Sequence, residues 1–104
     1  MTNPNEYRFG NLGLIFYRGK YKYGLGTALY FMTGTMPAMK LSLNLDDIRL
    51  PDNQIFLNPE YYMLSNQMIE DGLLELTGFK KRIGITEYPA ARITEKLEKI
   101  VIDY

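Results

Sequence analysis

Residues 39–45 read Met-Lys-Leu-Ser-Leu-Asn-Leu, and no other stretch of the chain alternates apolar and polar residues so regularly. A period of two is typical of a β-strand with one buried face and one solvated face. We therefore predict a strand over 39–45 in which Ser42 lies on the solvated face. We expect it to pair with strands over 27–32 (TALYFM) and 54–57 (QIFL), which flank it along the chain.

The residues before these strands predict one more strand. Residues 11–18 (NLGLIFYR) are rich in aromatic and branched apolar side chains, a composition that favours strands. The following segment, 19–26, has glycine at both ends and predicts a hairpin connection. Successive antiparallel strands of this kind form a meander.

Asn58-Pro59-Glu60 predicts the start of a helix. Asparagine is a good N-cap, proline is accepted at the first helical position, and glutamate suits the first turn. Apolar residues then recur at helical spacing, and Gly72 is a suitable residue to end the helix. We predict one helix over 59–71 that covers the apolar face of the sheet.

Two further strands are predicted after the helix, over 73–79 and 83–88, joined by a basic turn at residues 80–82. Pro89 is expected to end this pair. Thr94 is a candidate cap for a short helix, and residues 100–102 (IVI) predict a final strand.

These elements predict an α+β fold, with an antiparallel meander of about five to six strands packed on the main helix. A short C-terminal helix or strand completes it. The chain has 104 residues, of which 46% are apolar and 23% charged, values that are ordinary for a globular protein. We expect a single domain over residues 1–104.

The sequence contains no histidine and no cysteine. Catalytic triads need an imidazole to accept the nucleophile's proton, and most zinc sites need imidazole or thiolate ligands. Carboxylate, lysine and tyrosine chemistry stays open, so a small-metabolite enzyme is a third alternative. We expect a non-enzymatic protein without cofactors.

The candidate loops for metal or phosphate do not fit those ligands. Asp46, Asp47, Asp52 and Asn53 lie close together, but they lack the alternating oxygen ligands and the glycine of a calcium loop. Residues 24–26 (GLG) lack the further residues of a phosphate-binding loop. We expect a solvated loop at 46–53 and no metal site.

The N-terminus does not predict a signal peptide, and no apolar run approaches the ~20 residues that a membrane span needs. We therefore expect a cytoplasmic protein with no membrane partner.

Formal charge is zero overall but unevenly distributed along the chain. Residues 1–40 carry five basic groups and one acidic group, a net charge of +4. Residues 41–75 carry one basic group and seven acidic groups (−6), and residues 76–104 carry six basic groups and four acidic groups (+2). The acidic middle segment is a candidate face for a basic groove on another protein.

Tyrosine is frequent, with nine residues and no tryptophan. Buried tyrosine hydroxyls need partners, and tyrosine is favoured at protein interfaces, so we expect some of the nine to contact a partner. The candidate partner-binding residues are Tyr21, Tyr23, Asp46, Asp47, Tyr61, Tyr62, Glu70 and Asp71.

A nucleic-acid interface is the alternative, because cations and aromatic residues alternate in the hairpin connection. Cations neutralise phosphates, and tyrosine rings stack on bases. The candidate residues are Arg18, Lys20, Tyr21, Lys22, Tyr23, Lys80, Lys81 and Arg82.

Five short motifs occur in a characteristic order. They are Ala28-Leu29, Leu41-Ser42-Leu43-Asn44-Leu45, Asp71-Gly72-Leu73, Thr77-Gly78 and Tyr88-Pro89. In order and spacing these motifs resemble a family of small uncharacterised proteins of bacterial mobile elements and phages, over about residues 24–93. The resemblance implies that the protein is encoded by a mobile element or phage, and it implies no particular activity. It does not extend beyond Ile93.

Small proteins in that context often block host defences by occupying a nuclease or its guide complex. We therefore expect an inhibitor or adaptor that binds a host protein or ribonucleoprotein, with anti-CRISPR or other anti-defence activity as the specific form. A homodimer that pairs sheet edges at 11–18 or 100–102 is a further expectation.

Overall fold

The computed structural model describes residues 4–20, 26–34, 37–45 and 50–103. Within them the chain forms nine strands, two α-helices and a 3₁₀ turn over Pro59–Tyr61. The strands are β1 Glu6–Phe9, β2 Leu12–Lys20, β3 Thr27–Met32, β4 Met39–Lys40, β5 Ser42–Leu43, β6 Gln54–Leu57, β7 Leu74–Ile83, β8 Thr86–Ile93 and β9 Ile102–Asp103. The helices are α1 Tyr62–Glu70 and α2 Glu95–Glu98. The predicted α+β class is confirmed, with mostly antiparallel strands.

The first sheet has the order β1-β2-β3-β4, and all of these neighbours are antiparallel. β9 lies parallel to the second half of β2, with Tyr17 opposite Ile102. β1 pairs with the first half of β2, from Leu12 to Ile15. β2 is therefore paired on both sides, and the expectation that residues 11–18 offer a free sheet edge is wrong.

The second sheet has the order β5-β6-β8-β7 and is also antiparallel. The expectation of a single meander is therefore wrong, because the strands divide between two sheets. The predicted bounds 27–32 and 54–57 agree with β3 and β6, and these strands do flank the central segment.

The predicted strand over 39–45 is divided at Leu41. Its N–H donates to the carbonyl of Leu29 in β3 at 2.9 Å, and its carbonyl accepts the N–H of Asn58 at 3.0 Å. The hydroxyl of Ser42 accepts the N–H of Leu29 at 3.0 Å. Ser42 is therefore fully buried rather than solvated, because the chain bends from one sheet to the other here.

One hydrophobic core lies between the sheets and the helices. α1 contributes Leu64 and Met68, which are four residues apart and so share a helix face. The other buried members are Leu14, Phe16, Leu29, Phe31, Leu41, Ile55, Leu57, Leu73, Leu74, Ala91, Ile93 and Leu97. Because both sheets supply this core, they form one body. A smaller cluster of Leu50, Phe56 and Ala90 lies on the other face of the second sheet.

The predicted helix over 59–71 is present as the 3₁₀ turn followed by α1. The Asn58 side chain accepts the N–H of Glu60 at 3.1 Å, as expected of an N-cap. At the other end Gly72 has a φ of +81°, and the Leu73 N–H returns to the Met68 carbonyl at 2.8 Å. This bond belongs to the Schellman motif that ends many helices at glycine.

The predicted basic turn at 80–82 is wrong, because these residues lie within β7. The turn comes later, at Gly84 and Ile85. Pro89 does not end the hairpin either, since β8 continues to Ile93. It lies opposite the end of an irregular stretch in β7, where the pairing jumps from Leu76 to Lys80, and proline is accepted at such positions.

At the C-terminal end the predicted short helix is present as α2. Thr94 does not cap it by a side-chain hydrogen bond. Its hydroxyl donates instead to the carbonyls of Gly72 and Leu73, at 2.6 and 2.9 Å. No helix in the described ranges is long and apolar enough to cross a membrane.

Candidate binding surfaces

The distal part of the β7–β8 hairpin, residues 76–89, projects from the core and is called the arm below. Leu74 is the one buried residue of β7, and the buried residues of β8 are Ala90, Ala91 and Ile93, at its C-terminal end. Between these roots and the turn, both strands are mostly exposed. The arm is therefore a mostly solvated two-stranded ribbon, covered in part near its root by Tyr62 on one face and by Phe56 on the other.

The pairing register assigns the arm's side chains to two faces. Lys80 and Arg82 pair with Pro89 and Glu87, so these four lie on the face that continues Leu76. The opposite face carries Lys81, Ile83 and Tyr88. Cations therefore lie on both faces of the ribbon.

An irregularity in β7 separates the arm from the core. The Thr77 hydroxyl accepts the Phe79 N–H at 3.2 Å and approaches the Ala90 carbonyl at 3.4 Å, while Gly78 has a φ of +89°. The Phe79 ring lies 6.1 Å from the ring of Phe56. Bulges and lysines protect an edge strand from pairing with other strands, so β7 is poorly suited to extend its sheet.

Most of the large apolar side chains exposed in the described residues lie on the arm. They are Leu76, Phe79, Ile83 and Ile85, and the two elsewhere are Leu12 and Met63. The four on the arm do not form one patch, because Leu76 lies on the face of Lys80 and Ile83 on the opposite face.

A groove of about 260 Å³ lies between α1 and the root of the arm, and it is called the α1 groove below. Its floor is Leu57, and its walls are Tyr62, Asn66, Leu76, Lys80, Glu87 and Pro89. The Tyr62 hydroxyl donates to the Glu87 carbonyl at 3.4 Å and so connects α1 with the arm. Burial raises the pKa of Tyr62, and nearby Tyr88 adds to the effect, so the hydroxyl stays a donor at neutral pH.

The predicted partner-binding residues do not form one patch. Tyr62 lines the α1 groove, but Tyr61 packs edge-on against Phe31 at 4.9 Å and covers the core. Glu70 and Asp71 lie at the far end of α1, about 12 Å away at 1.5 Å per residue. Tyr21, Tyr23, Asp46 and Asp47 lie outside the described residues.

Asp71 is held within the fold. Its carboxylate accepts the Tyr7 hydroxyl at 2.5 Å and the Gln67 amide at 3.2 Å. Its carbonyl accepts Lys96 at 2.6 Å. These contacts give it a structural role, and Glu70 beside it is exposed.

The predicted nucleic-acid residues also separate. Arg18 donates to Asp103 at 2.5 and 2.9 Å, to the Asn53 side chain at 2.9 Å, and to Glu98. The hydrogen bond from Arg18 is the main cause that lowers the pKa of Asp103. The Arg18 charge is thus matched inside the fold. Lys20 is exposed at the end of β2.

The remaining nucleic-acid candidates are the three cations of β7 and the hairpin connection. Lys80, Lys81 and Arg82 lie on the arm, in the other sheet from Lys20. Tyr21, Lys22 and Tyr23 lie outside the described residues.

A second concavity, of about 310 Å³, is polar and lies beside Arg18. Lys20, Thr27, Asp52 and Asn53 also line it. The positive φ of Asn53, +64°, follows from a turn in which the Gln54 N–H donates to the Pro51 carbonyl at 3.1 Å. In the described ranges no three acidic side chains are grouped to hold a metal ion.

Comparisons with protein-family models, curated proteins and solved structures found no match to this chain. The resemblance over residues 24–93 therefore stays a prediction.

Tyr62, a predicted partner-binding residue, lines the α1 groove, but the sequence does not predict the groove itself, whose lining comes from β6, α1, β7 and β8. The sequence analysis also does not single out Ile85, which is exposed at the arm's tip. A signal for Ile85 exists in the sequence, since an isoleucine directly follows glycine in a basic hairpin.

Proposed function

We propose that this protein is a non-enzymatic inhibitor or adaptor of a phage or other mobile element, and that it binds a host protein. Anti-CRISPR or other anti-defence activity is its specific form. The α1 groove is the docking site. The resemblance described above supplies the genetic context, and the groove supplies the physical argument.

The observation that carries the proposal is an apolar groove with exposed apolar side chains at its margin. Leu76 in its wall is 51% exposed. Met63 follows Tyr62 in α1 and does not line the groove, but it is 81% exposed beside it in the sequence. A partner side chain of leucine or phenylalanine size fits the volume, and such buried anchors carry most of the binding energy of an interface. Lys80 and Glu87 offer one charge of each sign at the rim.

The test is affinity capture from bacteria that carry CRISPR and restriction systems, with the wild type and two variants, Leu76→Glu in the groove wall and Met63→Glu next to the lining residue Tyr62. These two are called the groove variants below. Both changes place a charge on an exposed apolar position, so folding is kept. The matched control is Leu12→Glu, because Leu12 is 49% exposed in the first sheet, away from the groove.

We expect one stoichiometric host protein with the wild type and the control, and at least tenfold less of it with either groove variant. Protection of an infecting phage from that defence system should be lost in the same variants. Absence of a stoichiometric partner, or equal loss with the Leu12 control, would contradict the proposal.

Nucleic-acid binding is the second candidate, because Lys80 and Arg82 share one face of a two-stranded ribbon. A ribbon of this kind fits the major groove of a duplex. Phosphate-driven binding is strongest at low salt. A gel shift of duplex DNA at low salt, with the wild type and a Lys80→Gln/Arg82→Gln variant, therefore tests this candidate. An unretarded duplex would exclude this candidate.

A further inference from the structure

The tip of the arm exposes apolar side chains that the fold does not require. Ile83 and Thr86 pair across the two-residue turn of Gly84 and Ile85, and Gly84 has a φ of +62°. Such turns need glycine at the first position but no apolar residue at the second. Ile85 is nevertheless 95% exposed and Ile83 48% exposed.

Three cations lie directly behind this tip. Lys80 and Arg82 are on one face of the ribbon, and Lys81 is on the other. Arg82 donates to the Gly84 carbonyl at 3.1 Å, so its guanidinium stays close to the turn. Glu87 approaches Lys80 at 3.8 Å with both side chains more than half exposed, and such exposed pairs bind weakly.

These charges give the distal arm a local excess of positive charge. Residues 79–88 contain three basic groups and one acidic group, a net charge of +2. The chain as a whole has 12 of each, so the remaining residues carry nine and eleven, a net charge of −2. An anionic surface therefore attracts the arm and repels the rest of the chain.

The spacing along the arm matches the depth profile of a lipid bilayer. At about 3.3 Å per residue, the cations lie about 5–13 Å behind Ile85. The polar headgroup layer is about 5–8 Å thick on each side of the hydrocarbon. When Ile85 reaches the acyl chains, Arg82 and Lys81 lie among the phosphates.

We propose that the arm binds the surface of an anionic lipid bilayer, with Ile85 and Ile83 inserted at the acyl boundary and Lys80, Lys81 and Arg82 on lipid phosphates. This site shares Lys80 with the wall of the α1 groove, and its other residues lie outside that groove. Cations on both faces of the ribbon suit a surrounding of phosphates on every side. In a duplex groove the outermost side chain meets polar base edges, and Ile85 cannot hydrogen-bond to them.

The chain has no tryptophan, so Ile85→Trp introduces a single fluorescent probe at the tip. The probe is mixed with vesicles of phosphatidylcholine containing about 30% phosphatidylglycerol, at about 0.1 M NaCl. We expect a blue shift of its emission, and quenching by lipids brominated on their acyl chains. The matched control is Leu12→Trp, because Leu12 also flanks a hairpin turn and is 49% exposed, without three adjacent cations.

Two further variants measure the separate contributions by vesicle sedimentation. We expect Ile85→Ser to weaken binding at least tenfold, because the apolar tip is lost. Replacing Lys80, Lys81 and Arg82 by glutamine should weaken it about a hundredfold, at about fivefold for each cation. Both variants should keep the melting temperature of the wild type, since Ile85, Lys80 and Arg82 are exposed and glutamine keeps part of the aliphatic stem of the half-buried Lys81.

Met63→Glu should bind vesicles as the wild type does, because Met63 is not part of the arm. The vesicle assay therefore tests the lipid proposal independently of the groove proposal. The proposal is overturned if the wild type does not sediment with anionic vesicles, or if Ile85→Ser sediments equally well. It is also overturned if, at the same salt concentration, the wild type binds a short DNA duplex but does not bind the vesicles.

Discussion

Arg18 connects the C-terminal strand β9 to β2 and to the turn at Asn53. Its side chain is 17% exposed, and its hydrogen bonds to Asp103, Asn53 and Glu98 use all of its nitrogens. Hydrogen bonds to charged groups contribute more than neutral ones, but Asp103 is 64% exposed and solvent reduces its share. We expect Arg18→Ala to lower the free energy of unfolding by about 1–2 kcal/mol in urea titrations.

The control for Arg18 is Arg8→Ala. Arg8 is 61% exposed and contacts Glu6 at 3.3 Å on the same strand, so its loss should cost less than about 0.5 kcal/mol. The pKa of Asp103 is lowered by Arg18. The stabilisation is therefore complete above pH ~4 and is lost as the pH falls below that value. Equal effects of both variants, or a difference that persists in acid, would contradict this account.

Tyr7 makes the stability sensitive to alkaline pH. Burial raises the pKa of Tyr7 well above its usual value, and the hydrogen bond and charge of Asp71 raise it further. Over the pH range just above the usual tyrosine pKa, Tyr7 therefore stays protonated in the folded state but loses its proton in the unfolded chain. Stability from this group is complete below pH ~10 and falls as the pH rises above it.

We expect the free energy of unfolding of the wild type to decline between pH 9 and 11 (about the tyrosine range), and Tyr7→Phe to decline less steeply. Phenylalanine keeps the ring contact with Phe16, at 5.8 Å between centroids. Urea titrations at a series of pH values measure both slopes. A variant as steep as the wild type would show that the Tyr7–Asp71 contact is not responsible.

At the scale of elements, the bend between β4 and β5 depends on one buried hydroxyl. Ser42 supplies the acceptor for the Leu29 N–H, so Ser42→Ala leaves that donor buried and unpaired. We expect a loss of about 1–3 kcal/mol, measured by urea denaturation. The other buried serine, Ser65, donates to the Tyr62 carbonyl one turn earlier in α1. Ser65→Ala should be almost neutral, since alanine favours helix, and a comparable loss there would contradict the argument.

The elements predicted best from sequence are those whose local sequence pattern is not overridden by contacts with distant parts of the chain. β3 and β6 match their predicted bounds because each is a short apolar run between turn residues. The strand over 39–45 was predicted whole, because alternation cannot show that Ser42 meets Leu29, thirteen residues earlier. Residues 80–82 resemble a turn in the sequence, because a strand without a buried face needs no alternation of apolar and polar residues, and none of these three is buried.

The candidate surfaces were harder to predict than the elements. Tyr62 is one member of a groove whose other walls come from the arm, and only the packing of α1 on the second sheet brings them together. Tyr61 was predicted for the same role by the same reasoning, but its ring contacts Phe31. Composition predicts that some tyrosines remain accessible, and packing decides which.

At the scale of the molecule, folding rearranges the charge pattern of the sequence. Arg18 belongs to the basic first segment, and its carboxylate partners Asp103 and Glu98 belong to the last. These ion pairs bring together charges from the two ends of the chain, so positive and negative charges are less separated in the folded protein than along the sequence. Among the described residues, Lys80 and Arg82 stay exposed on one face of the arm, which gives this part of a chain of zero net charge a local excess of positive charge.

The arm and the core should also differ in local stability. The rungs from Lys80–Pro89 to Ile83–Thr86 contain no buried residue and, within the described part of the chain, touch the rest of the fold only at their root, through Tyr62 and Tyr88, and an isolated two-stranded hairpin is marginal in water. β3, by contrast, is paired on both sides and carries the buried residues Leu29 and Phe31. Local opening of the arm therefore needs far less free energy than global unfolding.

Hydrogen exchange measured by NMR tests this difference directly. We expect the cross-strand amides of the arm to exchange at least about a hundredfold faster than those of Leu29 and Phe31, because a few kcal/mol separate the two kinds of opening. Ile85→Ser should leave both rates unchanged, since Ile85 contributes no packing to the core. Equal protection of arm and core would mean that the arm unfolds only with the whole molecule. Such an arm could not adjust its angle to a bound surface without a global cost, and that rigidity would limit binding to partners whose shape already fits it.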